Sequence, residues 1–164
     1  MKKIILSAAA LLLSVCCMAQ EQLAFPFQGG KDIMTRFFKE NLAASPEIIQ
    51  KKATGTVIFK FTADIKGTIT KIVIYYADDA VLVPPIIEAL KKSNHKWIIP
   101  DHEKSNDFIL AFSYSFNAPE TQSAELRKAV YDYITNRKPI FSTDQIPLNL
   151  ATLLPTVMIN YDVQ

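Results

Sequence analysis

Two histidines with acidic neighbours are the first residues of this chain that could do chemistry: His95, and His102 between Asp101 and Glu103. A metal centre or an acid–base pair needs such side chains at a spacing that brings several onto one point. Here both histidines fall around one polar stretch, at no familiar ligand spacing, and isolated ionisable residues in loops are ordinarily solvated. Asp64, Asp78 and Asp79 stand where turns and helix starts are expected, so they read as turn and cap residues rather than catalytic carboxylates. Gln28-Gly29-Gly30-Lys31 lacks the glycine spacing of a phosphate-binding loop and follows no strand. Cys16 and Cys17 both lie in the N-terminal apolar run, so a chain without that run has no thiol chemistry and no disulfide. The reading is of a non-enzyme, with no catalytic residue, no metal site and no cofactor.

Met1-Lys2-Lys3 precedes an apolar run from Ile4 to Ala19. A basic start, a short apolar stretch and small residues at its end make a secretory signal peptide over residues 1–19, cut before Gln20. The run falls short of the ~20 apolar residues of a membrane span. Two alternatives stand beside cleavage. One is retention as an uncut anchor. The other is lipidation at Cys16 or Cys17, although Val15 occupies the place where a lipoprotein signal prefers a small residue.

The chain has 18 basic and 16 acidic residues, a net charge of +2. Without Lys2 and Lys3 the two signs balance. A neutral chain carries none of the basic excess of nucleic-acid binders, and no basic amphipathic segment argues for a membrane surface.

The elements that would position any site follow from periodicity. Apolar residues at helical spacing, Ile33, Met34, Phe37, Phe38 and Leu42, predict a helix over 31–44. Ser45-Pro46 ends it or starts a short further turn. Two alternating runs flank Asp64-Ile65-Lys66-Gly67, which predicts a β-hairpin. In the first run Val57, Phe59 and Phe61 point one way, while Thr56, Ile58, Lys60 and Thr62 point the other. The second, 68–76, is apolar on both faces, as central or covered strands are. Pro84-Pro85 suits the first turn of a second helix, 84–93, that buries Ile86, Ile87 and Leu90. Trp97 and Pro100 precede a polar loop. A third strand, 108–116, then alternates Phe108, Leu110, Phe112, Tyr114 and Phe116 with Ile109, Ala111, Ser113 and Ser115. The aromatic side should cover the helices, with Trp97 as a core plug between helix and sheet. Beyond a boundary at Asn117-Ala118-Pro119, residues 120–137 read as an amphipathic helix, and 156–161 has strand character.

The order helix, hairpin, helix, tryptophan loop, strand resembles the C-terminal domain of TonB, the periplasmic part of an energy transducer for outer-membrane uptake. The likeness rests on Gly29-Gly30 before the first helix, Asn41-Leu42 near its end and Pro46 after it. It continues through Gly55-Thr56-Val57, Phe59, Phe61 and the turn 64–69, and ends with Trp97 and Pro100. It covers roughly residues 25–117. It implies an α+β fold with a three-stranded antiparallel sheet and two helices over residues 20–118, with Gly55, Gly67, Trp97 and Pro100 as structural positions. A C-terminal helix and extended tail, 119–164, are appended. The departures are an N-terminal run that reads as cleavable where a transducer keeps a membrane anchor, no long proline-rich spacer after the expected cleavage site, Ser45 in place of a tyrosine before Pro46, and a tail without counterpart.

In that family an extended receptor peptide adds along the edge of the last strand. Carried over, the partner-binding edge is Phe108, Ile109, Ala111, Ser113 and Ser115, where main-chain groups supply affinity. The expected function is therefore a periplasmic protein–protein interaction module, binding segments of an outer-membrane receptor or another envelope protein. Three alternatives differ in kind. The tail strand 156–161 could occupy that edge and close the domain as a scaffold. The edges could pair two copies into a homodimer. An uncut or lipidated N-terminus would make a short membrane-anchored transducer.

Overall fold

The structure, a computed structural model, describes residues 25–117 and 123–163; the expected signal peptide lies outside the described residues. It is an α+β fold. The helices are α1 (Gly30–Asn41), α2 (Pro46–Lys51), α3 (Val83–Lys92) and α4 (Ala124–Thr135). The strands are β1 (Gly55–Asp64), β2 (Ile69–Ala77), β3 (Ser105–Asn117), β4 (Ile140–Phe141), β5 (Thr152–Leu153) and β6 (Val157–Asp162).

The sheet has six strands where three were expected. Its order is β4-β2-β1-β3-β5, with β6 also on β3. The hairpin and β3 form the antiparallel centre as anticipated: Phe61 stands opposite Ile72 on one side and Phe108 on the other. The three additional strands all come from the region after residue 122. β4 pairs antiparallel with Tyr76 and Ala77 of β2, while β5 and β6 pair parallel with β3. Parallel neighbours require a crossover. This one runs through α4, which packs on α2, and through β4 at the opposite edge of the sheet before returning to β3.

Local chemistry explains the elements. Ser45 caps α2 by accepting the Ile48 N–H at 3.3 Å, with Pro46 in the first turn. Asp64 Oδ1 accepts the N–H groups of Lys66 and Thr68, each at 2.9 Å, and so closes the hairpin. These bonds, chiefly the one from Thr68, hold its carboxyl below the ordinary value. Gly67 has φ +70°, and a Cβ there would meet the Trp97 carbonyl oxygen at 2.5 Å. The hairpin turn can therefore lie against the tryptophan loop only with glycine at this position.

α1, α2 and α3 contribute Met34, Phe38, Ile48, Ile86 and Leu90 to the inner face of the sheet, against Val57, Phe59, Phe61, Phe108, Leu110 and Phe112. Trp97 plugs one end of this core. Its ring lies 4.7 Å from Phe61 and 5.1 Å from Phe108, and its Nε1 donates to Ser93 Oγ at 2.9 Å.

The expected boundary at 117–119 runs into the undescribed residues 118–122. On its far side Tyr133, Leu154, Val157, Ile159 and Tyr161 belong to the same core cluster as the strands before it. Tyr114 is the imperfection of this core. Its hydroxyl is buried without a hydrogen-bond partner among the described residues, and burial pushes its ionisation far upward. Leaving such a group unpaired costs about 1–3 kcal/mol. Tyr114→Phe should therefore stabilise the domain by ~1 kcal/mol, read as a rise of a few degrees in Tm. A fall in Tm would mean that the hydroxyl has a partner.

Candidate functional site

The edge of β3 expected to take a partner strand is the part of the sheet the tail completes. One side of β3 pairs with β1 from Gly55↔Tyr114 to Asp64↔Ser105. On the other side Phe108 and Ile109 stand opposite Thr152 and Leu153 of β5. Further along, Ser113 stands opposite Met158 and Ser115 opposite Asn160 in β6. Ala111 falls between the two short strands, where Pro155 interrupts the tail. The backbone there stays attached, since the Leu154 N–H donates to the Ile109 carbonyl at 2.9 Å. Side chains reinforce the register: Ser115 Oγ donates to Asn160 Oδ1 and Asn117 Nδ2 to Asp162 Oδ1, both at 2.7 Å.

β6 alternates cleanly. Val157, Ile159 and Tyr161 are buried; Met158, Asn160 and Asp162 are exposed. The buried set meets the core with its own polar anchor, because the Tyr161 hydroxyl donates to the Ala53 carbonyl at 2.7 Å. From α4, the Tyr133 hydroxyl donates to the adjacent Thr54 carbonyl at 2.9 Å, and Arg137 Nη2 donates to the same oxygen at 3.0 Å. The guanidinium lies 5.1 Å over the Tyr133 ring and 3.9 Å from Asp78 Oδ1. Asp78 also accepts the Thr56 N–H and the Tyr76 hydroxyl, each at 2.6 Å. The tail is thus fastened at Ala53 and Thr54, just before β1 begins. Asp79 caps the short 3-10 turn Ala80–Leu82 by accepting the Val81 N–H at 3.1 Å, while α3 itself starts after Leu82 without a side-chain cap.

Burial pushes the Tyr133 and Tyr161 hydroxyls up to about 12. An unfolded chain ionises its tyrosines near ~10. The folded state therefore holds these protons more tightly. The stability they contribute is whole below pH ~10 and is lost as pH rises towards ~12. In an alkaline titration followed by tyrosinate absorbance, both should ionise together with unfolding. Ionisation near pH ~10 in a folded chain would show that they are solvated.

Between β4 and β5 the chain crosses the outer face of the sheet as a strap. Gln145, Ile146 and Pro147 lie over Lys60, Thr62, Val73 and Asp107. Lys60 is only 9% exposed and donates to the Pro147 carbonyl and, at 2.8 Å, to Asp107 Oδ2. Asp107 accepts from Thr62 Oγ1 at 2.6 Å. Burial pushes its carboxyl up, but the Lys60 and Thr62 bonds outweigh this and hold it below the ordinary value. The outer-face apolar residues of β2 are in this way partly covered, which explains a strand apolar on both sides.

The residues considered for catalysis do not converge. His95 is exposed; its N–H donates to the Gly67 carbonyl at 2.7 Å, and its Nδ1 lies 3.2 Å from the Lys66 carbonyl, so it braces the hairpin. His102 is exposed in a turn at φ +82°. No group of three or more His, Cys, Asp or Glu side chains among the described residues is placed to hold a metal ion. Gly55 lies against Asp78, where a Cβ would meet its Cβ at 2.7 Å, and Pro100 accepts the Glu103 N–H in a turn.

The anchors Lys60, Tyr133, Arg137 and Tyr161 were not singled out by sequence reasoning. Only Lys60 left a signal, as a lone cation in a strand of apolar and β-branched residues. Among the described residues no helix is long and apolar enough to cross a membrane. Comparison with protein-family models, with curated proteins and with solved structures gives no match to this chain.

Proposed function

We propose that this chain is an exported, non-catalytic protein–protein interaction domain of the cell envelope, resembling the C-terminal domain of TonB but closed by its own tail. One observation carries the reading: β6 pairs with β3 from Phe112↔Val157 to Asn117↔Asp162, on the edge where a partner strand would add. Burying Leu154, Val157, Ile159 and Tyr161 contributes roughly 1.5–3 kcal/mol for each side chain. This is a gross gain, set against the cost of ordering the tail backbone, and terms of this size decide whether a marginally stable domain folds. A peptide on β3 must replace all of that, so the tail acts as a structural strand and not as a removable cover.

A synthetic peptide copying residues 156–163 is the best ligand the β3 edge could meet. Added to the full-length protein it should not bind at millimolar concentration. Saturable binding with release of the native tail would overturn the closed reading. It would favour the second one, in which receptor peptides add to Phe108, Ile109, Ala111, Ser113 and Ser115 by exchange. Export is tested separately by intact mass of the protein from its native cell fraction. A soluble species beginning at Gln20 agrees with a free periplasmic domain; a form uncut or lipidated at Cys16 or Cys17 would support a short anchored transducer.

A further inference from the structure

We propose that the outer edge of β6, with the groove between it and the end of α1, docks an extended segment of a partner protein that carries a carboxylate beside apolar residues. This rests on the closed reading above, because only a fixed tail turns β6 into a lasting edge. β6 uses one side for β3, and among the described residues no strand and no backbone hydrogen bond occupies its other side.

The two outer edges of the sheet are built differently. The edge of β2 carries the guards that soluble proteins place on such strands. It has register shifts near both ends, the exposed Lys71, the short β4 over Tyr76 and Ala77, and the Asn94 side chain accepting the Ile69 N–H at 2.9 Å. β6 has none of these. Its register is unbroken over six residues, and it contains no proline, no lysine and no bulge.

The groove beside it measures about 190 Å³ and is lined by Lys39, Leu42, Met158, Ile159 and Asn160. Leu42 forms a buried apolar floor, while Met158 is exposed on the opposite flank. Lys39 is exposed and makes no ion pair among the described residues. An added strand would gain main-chain bonds from β6, place an apolar residue over Leu42 and set a carboxylate against Lys39. A second copy fits less well. Antiparallel pairing of two β6 edges about a twofold axis would bring each Lys39 towards its counterpart, and facing like charges repel.

The test uses the full-length protein, isotope-labelled for NMR, at physiological salt. The probe is the blocked heptapeptide Thr-Val-Thr-Glu-Thr-Val-Thr, compared with the same peptide bearing lysine at the centre. The expected result is saturable amide shifts confined to residues 157–162 and 39–42. The lysine peptide should bind about fivefold more weakly, the size of an exposed ion pair. Lys39→Glu should reverse that order and lower Tm by no more than a few degrees, the cost of placing an anion in the last turn of α1. No shifts at millimolar peptide, shifts along β2 instead, or equal binding of both peptides would each overturn the proposal. So would self-association of the peptide-free chain through β6, which would make a second copy the occupant. If the peptide instead sits on β3 and β6 detaches, the closed reading fails together with the docking site. If β6 stays paired and silent, only the docking site fails.

Discussion

Val157→Asp should destabilise the entire domain by about 4 kcal/mol or more, in one cooperative transition. Val157 is fully buried opposite Phe112 in the parallel ladder, among side chains that include Ile159 and Leu154. A carboxylate there loses its hydration without a partner, and the strand cannot turn it outward without exposing Ile159 and Tyr161 as well, since one register slip reverses every side chain. Chemical denaturation should show a single transition at a lower midpoint, with tyrosine fluorescence and far-UV circular dichroism changing together. Met158→Asp, one residue along on the exposed face, is the control and should cost less than about 0.5 kcal/mol. If Val157→Asp instead left the hairpin and helices at full stability and loosened only the tail, β6 would be an appendage.

Trp97→Ala should cost about 3–5 kcal/mol, the range for emptying a buried aromatic site. The ring is 3% exposed and is enclosed by Phe27, Phe38, Phe61 and Phe108. Its loss leaves a cavity beneath the hairpin turn, where the backbone of residue 97 also lies against Gly67. Trp97→Phe should be milder, about 1–2 kcal/mol, because the smaller ring fills part of the space and only the bond to Ser93 Oγ is lost. Equal costs for the two variants would mean that the hydrogen bond, not the packing, holds this end of the core. The ring packs on Phe108 at the β5 end of the β3 edge, several residues from the β6 ladder, so neither variant should alter pairing between Ser113 and Met158 in whatever population stays folded.

The parts of the fold that could be read in advance are those whose cause is local. The hairpin follows from two period-two runs around Asp64-Ile65-Lys66-Gly67, and the inner face of β3 from Phe108, Leu110, Phe112 and Tyr114 at alternate positions. Helix ends shifted by a few residues: α1 stops at Asn41, not Ala44, and α4 is helical over Ala124–Thr135, not as far as Arg137. The six-stranded sheet could not be read in this way. Ile140–Phe141 and Thr152–Leu153 are too short to show a period, and they become strands only because β2 and β3 offer them an edge. The strand character of residues 156–161 was visible, and its pairing with the β3 edge stood as one alternative, but nothing local selected it over a free edge. A parallel ladder between β3 and a segment some forty-five residues later leaves no turn between them to announce it.

The candidate edge shows the same division. Phe108, Ile109, Ala111, Ser113 and Ser115 do lie along β3, with the alternation expected. What occupies their edge depends on anchors far apart in sequence. Tyr161 reaches the Ala53 carbonyl, Tyr133 and Arg137 reach Thr54, and Lys60 holds the strap through Pro147 and Asp107. No spacing rule links these residues. Only the folded chain places a phenol beside a carbonyl more than a hundred positions away.

If β6 is a permanent strand of the sheet, β3 offers no free edge. Native-state hydrogen exchange on the full-length protein tests it most directly, amide by amide. The protected amides of 157–161 should exchange with the same opening free energy as those of Phe59 and Phe61 in β1, through global unfolding. Exchange of the β6 amides at an opening free energy lower by several kcal/mol, with β1 still protected, would contradict it: the tail would then be a lid on a binding edge.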